Sequence, residues 1–79
     1  MSLIGDAKLQ ILLKLREEPS HGYALADKLG ISSGYIYQHL EELQEAAMIE
    51  VEESETEGRQ RTFYRLTENG ELLLEALGE

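Results

Sequence analysis

His21 and His39 are the two side chains of this 79-residue sequence whose ordinary pKa lies near neutrality, and the chain has no cysteine. His21 opens the triplet His21-Gly22-Tyr23, and acid–base chemistry is the first use such a histidine suggests. Neither a cysteine nor a suitably paired acid or serine accompanies it. The reading that fits is structural: His21 caps or packs at a helix start, Gly22 allows close backbone approach, and Tyr23 fills the core. His39 is expected to be structural or solvent-exposed. Two histidines without a thiolate are too few for a zinc site, so no metal, no cofactor and no enzymatic activity is expected. The chemistry that remains is hydrogen bonding. Ser32, Ser33, Gly34, Tyr35, Tyr37 and Gln38 make a neutral polar run, and Arg59, Gln60 and Arg61 make a second set rich in planar donors. Such sets suit the base edges and phosphates of a nucleic acid.

The apolar spacing supplies elements to hold them. Asp6 is read as the N-cap of a first helix, about Asp6 to Glu17, with Leu9, Leu12 and Leu13 at helical spacing and Lys14 and Arg16 near its end. Pro19 and Ser20 stop it. A shorter helix follows, carried by Tyr23, Leu25, Ala26 and Leu29, and Gly30 stands where a C-terminal glycine belongs. Ser32 introduces a third helix, about Ser33 to Ala46, whose Ile36, Leu40, Leu43 and Ala47 recur as one apolar stripe.

After Ala47 the period becomes alternating. Ile49 and Val51 point one way and Glu50 and Glu52 the other, which predicts a strand. Arg61 to Leu66 form its partner, and Gly58 marks a hairpin loop from Thr56 to Arg59. This register sets Val51 against Tyr64 and Ile49 against Leu66 on the core side, with Glu50 against Arg65 outside. Thr67 caps a last helix, Glu68 to Leu77, and Gly78 ends it. The prediction is one domain over residues 1–79, mostly α with a β-hairpin (α+β), in the order helix, helix, helix, hairpin, helix.

Two helices joined by a tight glycine turn and followed by a hairpin make a winged helix-turn-helix, in which the second helix of the pair enters a major groove. With Ile36 facing inward, the 3.6-residue period turns Gly34, Tyr35, Gln38, Glu41, Glu42 and Glu45 outward. The amino-terminal half of that face is neutral and the carboxy-terminal half acidic. Recognition helices contact bases near their amino-terminal end, so double-stranded DNA is the expected partner. The hairpin is the wing. Arg59 and Arg61 at its tip are expected on phosphates or in a minor groove, and Arg65 in a cross-strand pair with Glu50. Tyr37 flanks the stripe, its ring packing while its hydroxyl reaches a phosphate.

Charge opposes this reading at the level of the whole chain. Sixteen acidic residues face seven basic ones, for a net charge of -9. Two explanations account for so acidic and lysine-poor a surface: ordinary solubility charge, or adaptation to a high-salt cytoplasm where repulsion is screened within a few ångströms. The same charge supports a rival function, an acidic winged-helix module that mediates protein–protein interaction.

Three stretches resemble the PadR-like winged-helix transcriptional regulators. His21-Gly22-Tyr23-Ala24-Leu25 is similar to the family's His-Gly-Tyr motif. The run Ser32 to Leu43 is similar to its recognition helix, with Tyr37 three residues before Leu40. Gly58 to Gly70 resembles the wing and the threonine-capped start of the last helix. The resemblance implies a dimeric, sequence-specific repressor, with a small-molecule effector in many members. Ala46-Ala47 departs from it, standing where such proteins often carry a glycine before the strand, and Tyr35 takes a position more often small.

The remaining apolar residues point to a second subunit. A domain this small has a thin core, and Leu3, Ile4, Ile11, Leu12, Leu72, Leu73, Leu74 and Leu77 exceed what it can absorb. Leu3, Ile4, Ile11, Leu72, Leu73 and Leu77 are the expected interface of a symmetric homodimer that spaces two recognition helices about one DNA turn apart, ~34 Å. No apolar run approaches the ~20 residues that span a bilayer, so no membrane association and a cytoplasmic location are expected.

Overall fold

The computed structural model describes residues 5–56 and 59–79, with side chains described outside residues 53–61. Among the described residues, four helices and three strands follow one another as α1 (Asp6–Glu17), β1 (Ser20–His21), α2 (Gly22–Leu29), α3 (Ser33–Glu45), β2 (Ile49–Thr56), β3 (Arg59–Leu66) and α4 (Glu68–Ala76). No helix among the described residues is long and apolar enough to cross a membrane. The strands form one antiparallel sheet in the order β1-β3-β2. Ile49 opposes Leu66, Glu50 opposes Arg65 and Val51 opposes Tyr64, the register expected from alternation. Both hairpin strands run further than expected, to Thr56 and from Arg59. Ile49 is buried, whereas Val51 is more than a third exposed, because the hairpin leaves the core as it extends.

Helix α1 is the centre of the packing. Its Ile11, Leu12 and Leu15 are buried together with Leu25 and Ala26 of α2, Ile36, Leu40 and Leu43 of α3, Ile49 of β2 and Leu74 of α4. The helix touches α2, α3, α4 and β3, which is why its apolar residues are covered from several sides. Ile11, expected at a subunit interface, is fully buried, and so is Leu12. The interface assignment of Ile11 is therefore corrected: the side chain belongs to the domain's own core. Leu3 and Ile4 lie outside the described residues.

The helix ends show local chemistry at work. Gly5, not Asp6, is the N-cap of α1, and it makes no side-chain cap bond. Asp6 is the first helical residue, where its carboxylate sits favourably beside the positive end of the helix dipole. At the end of α3, the Ala47 N–H donates to the Gln44 carbonyl at 3.0 Å and the Met48 N–H to the Leu43 carbonyl at 3.0 Å. Those two bonds define a Schellman turn, whose pivot takes the left-handed conformation. Ala47 occupies that pivot with φ 60°. It is exposed, so the apolar stripe ends at Leu43 and Ala47 leaves it. The place where a family glycine is often found is thus a left-handed position, at which a glycine is at ease.

Thr67 ties this turn to α4. Its hydroxyl accepts from the Gly70 N–H at 3.1 Å and donates to the Ala47 carbonyl at 2.6 Å, while its own N–H donates to the Met48 carbonyl at 3.1 Å. Gly70 is buried here, and a Cβ on it would be driven into the Met48 carbonyl and the Leu66 side chain.

Candidate nucleic-acid interface

Helix α3 presents the expected face. Ser32 is its N-cap, with the hydroxyl accepting from the Tyr35 N–H at a long 3.5 Å. Ser32, Ser33, Gly34, Tyr35, Tyr37 and Gln38 are all exposed, while Ile36 between them is fully buried. Tyr35 is 64% exposed, and a Cβ on Gly34 would meet nothing within 4 Å. This end of the helix carries the unpaired N–H groups and the positive end of the dipole, both favourable toward a phosphate. Further along, Glu41, Glu42 and Glu45 are exposed on the same helix, so the face divides into a neutral start and an acidic finish.

The turn into α3 is built by Gly30, which ends α2 in the left-handed region at φ 66°. Its N–H and that of Ile31 both close onto the Ala26 carbonyl. Between α2 and α3 lies a shallow depression of about 420 Å³ lined by Tyr23, Ala26, Asp27, Gly30, Ile31, Ser32 and Ser33. Tyr23 is 73% exposed at its rim and does not fill the core. The eight-residue α2 turns Leu25 and Ala26 inward, and Tyr23 is carried to the other side.

His21 is the N-cap of α2. Its Nδ1 accepts from the Ala24 N–H at 3.1 Å, so that nitrogen serves the helix start. Pairing of β1 with β3 sets His21 opposite Phe63, with ring centroids 5.5 Å apart edge to face. His39 is partly buried. Its Nδ1 has no hydrogen-bond partner among the described residues and lies 4.0 Å from Glu42, whose carboxylate is held by Lys8 at 3.2 Å.

Gly22 follows His21 and is buried against α3. A Cβ built on it would fall 2.6 to 2.8 Å from Cε1, Cζ and the hydroxyl oxygen of Tyr37. The Tyr37 ring therefore packs as expected, though it remains about half exposed. Tyr64 on β3 has its phenol pushed above 10.0, first by burial and then by the neighbouring phenol of Tyr37. Nothing in the residue spacing marks this approach of Gly22 to Tyr37, since the two stand on different helices. The His-Gly-Tyr triplet carried the one usable hint, a glycine where close approach was expected.

All five lysines and arginines with described side chains are engaged. Lys8 pairs with Glu42, Lys14 with Glu17 and Lys28 with Glu18, Arg16 donates to the Glu79 carbonyl, and Arg65 holds Glu50 and Glu52. Arg65 thus takes the cross-strand role expected of it. These pairs are exposed and worth little individually, ~0 to 1 kcal/mol. Arg59, Gln60 and Arg61 stand on β3 opposite Thr56, Glu55 and Ser54, and their side chains lie outside the described residues. Of the residues expected at a subunit interface, Leu72 is 55% exposed on α4, and Leu73 and Leu77 are partly buried.

Comparison with known proteins adds to this geometry. Residues 11–76 match the transcriptional regulator PadR-like family. A sequence comparison with curated proteins gives no match. Among solved structures, the chain is similar to a PadR family transcription regulator from hypervirulent Clostridium difficile R20291, with 23% identity, a TM-score of 0.86, and coverage of 94% of this chain and 84% of that one. A protein of Thermoplasma acidophilum assigned as a transcriptional regulator is similar at 31% identity and a TM-score of 0.76, over 92% and 76% of the two chains. A mutant of ZitR from Lactococcus lactis, in complex with DNA, is similar at 28% identity and a TM-score of 0.76, over 86% of this chain and 46% of that one.

Proposed function

The chain belongs to the PadR-like family of transcriptional regulators, and from that premise we propose that it binds double-stranded DNA sequence-specifically, with α3 in a major groove and the β2–β3 wing on the backbone or minor groove. The observation that carries this is the exposed, neutral start of α3, where Ser32, Ser33, Gly34, Tyr35 and Gln38 stand together at the positive end of the helix. Gln38 supplies an amide that can pair bidentately with adenine. The hydroxyls of Ser32 and Ser33 suit phosphates. Arg59, Gln60 and Arg61 supply the wing contacts, because planar guanidinium groups make paired bonds to phosphate.

The acidic remainder of the surface has a use in this reading. Glu41, Glu42 and Glu45 repel phosphates from the far half of α3, so the duplex is steered onto its start. A bound domain blocks access to the DNA it covers, which makes repression the expected outcome. Leu72, Leu73 and Leu77 on α4 are proposed as a homodimer interface, Leu72 being the most exposed of them. Sedimentation should then show a dimer, and a stable monomer at high micromolar concentration would remove that part.

Selection of bound duplexes from a random pool, run at low and at high salt, tests the proposal. A reproducible site with two half-sites about one turn apart, ~34 Å, is expected. Recovery of no preferred sequence, with Gln38→Ala and Arg59→Ala leaving capture of a protein partner intact, would favour the rival reading of an acidic protein-binding module.

A further inference from the structure

We propose that Tyr37 is a positioning residue: its ring, seated in the notch left by Gly22, sets the height and rotation of the recognition helix, and its hydroxyl is not a phosphate ligand. The inference rests on the DNA-binding reading given above. Cε1, Cζ and the hydroxyl oxygen are the tip of the ring, and all three occupy the space that a Cβ at position 22 would take. The notch is also firm. Gly22 is the first residue of α2, and the His21 before it is fixed twice, by its bond to the Ala24 N–H and by pairing with Phe63.

Tyr37 therefore stands where α3 meets the start of α2. Its chain neighbours are Ile36, anchored in the core, and Gln38, turned to solvent. Ordinary van der Waals contact lies at 3.4–4 Å, against 2.6–2.8 Å for a Cβ on Gly22, so an alanine there drives the ring back by about 1 Å. Passed through the backbone of α3 to Gln38, a movement of that size would take an amide out of the narrow window of a good hydrogen bond, ~2.7 to 3.2 Å.

Gly22→Ala, Tyr37→Phe, Tyr37→Ala and the Gly22→Ala/Tyr37→Ala pair decide the matter, each measured for melting temperature without DNA and for affinity to a selected duplex. Tyr37→Phe is expected to keep the affinity to within about twofold, a change of only a few tenths of a kcal/mol. Gly22→Ala and Tyr37→Ala should each lose on the order of tenfold, comparable to one mismatched base pair. Gly22→Ala should lower the melting temperature of the parent chain yet leave that of the Tyr37→Ala background unchanged or higher, since alanine is the better helix former once the ring is gone. A loss in Tyr37→Phe equal to that in Tyr37→Ala would overturn the proposal and make the hydroxyl a phosphate contact. Equal effects of Gly22→Ala in both backgrounds would show that the notch does not hold the ring. A parent chain that selects no duplex removes the DNA reading and this role with it, whereas the melting-temperature cycle still reports whether the contact exists.

Discussion

Replacing Ala47 by glycine should stabilise the domain, and the gain can be worked from two turns of the same chain. The ends of α2 and α3 both pivot on a left-handed residue, Gly30 at φ 66° and Ala47 at φ 60°. An L-residue with a Cβ pays about 1–2 kcal/mol to adopt that conformation. Glycine avoids this cost but loses more backbone freedom on folding, about 0.5–1 kcal/mol relative to alanine. The difference favours Ala47→Gly by about 0.5–1 kcal/mol. All the bonds at the pivot are made by its backbone: the Ala47 N–H to Gln44, and the Ala47 carbonyl to the Thr67 hydroxyl. Little side-chain burial is forfeited, because Ala47 is exposed. For a domain of this size the gain corresponds to a rise in melting temperature of about 2–8 °C. Gly30→Ala should fall by a similar amount, which makes it an internal control in the same fold. Thermal and urea unfolding of the three chains supply the numbers. If Ala47→Gly lowers stability while Gly30→Ala also lowers it, the left-handed pivot at 47 is refuted.

Gly70→Ala should cost about 3 kcal/mol or more by overpacking, because the obstructing Met48 carbonyl is backbone and cannot rotate away; urea unfolding reads the loss. Thr67→Ala removes the cap on the Gly70 N–H and the donor to Ala47, so a loss of about 1–2 kcal/mol is expected in the same assay. The ionisation of Tyr64 in an ultraviolet titration should lie above the ordinary phenol value, and Tyr64→Phe should remove that step. Its phenol is raised above 10.0 in the folded chain, so the folded state keeps a proton that the unfolded state gives up. The resulting stability is fully present below pH 10 and is lost as pH rises through the folded value. Salt dependence of DNA binding should be shallow. Two wing arginines per subunit give about four phosphate contacts in a dimer and a log–log slope near -3.6, whereas a slope of about -8 would require cations that the acidic surface does not offer.

Much of this fold was legible because local signals agreed. Ser32, Gly30 and Thr67 each mark a helix boundary by their own chemistry, and alternation around Ile49 and Leu66 fixes a register that a one-residue slip would invert. The two-residue β1 was not legible, since Ser20 and His21 are too few to show any period, and their pairing depends on where β3 passes. Tyr23 was misplaced because it was counted by its apolar ring and not by its direction: Gly22, Leu25 and Ala26 make the buried face of α2, and the 3.6-residue period carries Tyr23 off it. Ala47 fits the period of α3 but lies beyond its end, where spacing no longer describes direction. Ile11 shows what counting apolar residues cannot do. A surplus implies that some are shared between subunits, yet only the packing of α1 among α2, α3, α4 and β3 decides which ones the domain keeps. At the site, the outward set from Gly34 to Glu45 followed directly from the helical period, while the seat of Tyr37 on Gly22 depends on tertiary approach alone.

The central claim is that recognition is concentrated on the start of α3. Fluorescence anisotropy of Gln38→Ala and Glu45→Ala on a selected duplex, and on its single-base variants, tests it most directly. Gln38→Ala should lose about 1–3 kcal/mol of affinity and flatten the preference at one base position, while Glu45→Ala binds the parent sequence at least as well as the natural chain. Unchanged base preferences in Gln38→Ala, or a comparable loss in Glu45→Ala, would contradict the account.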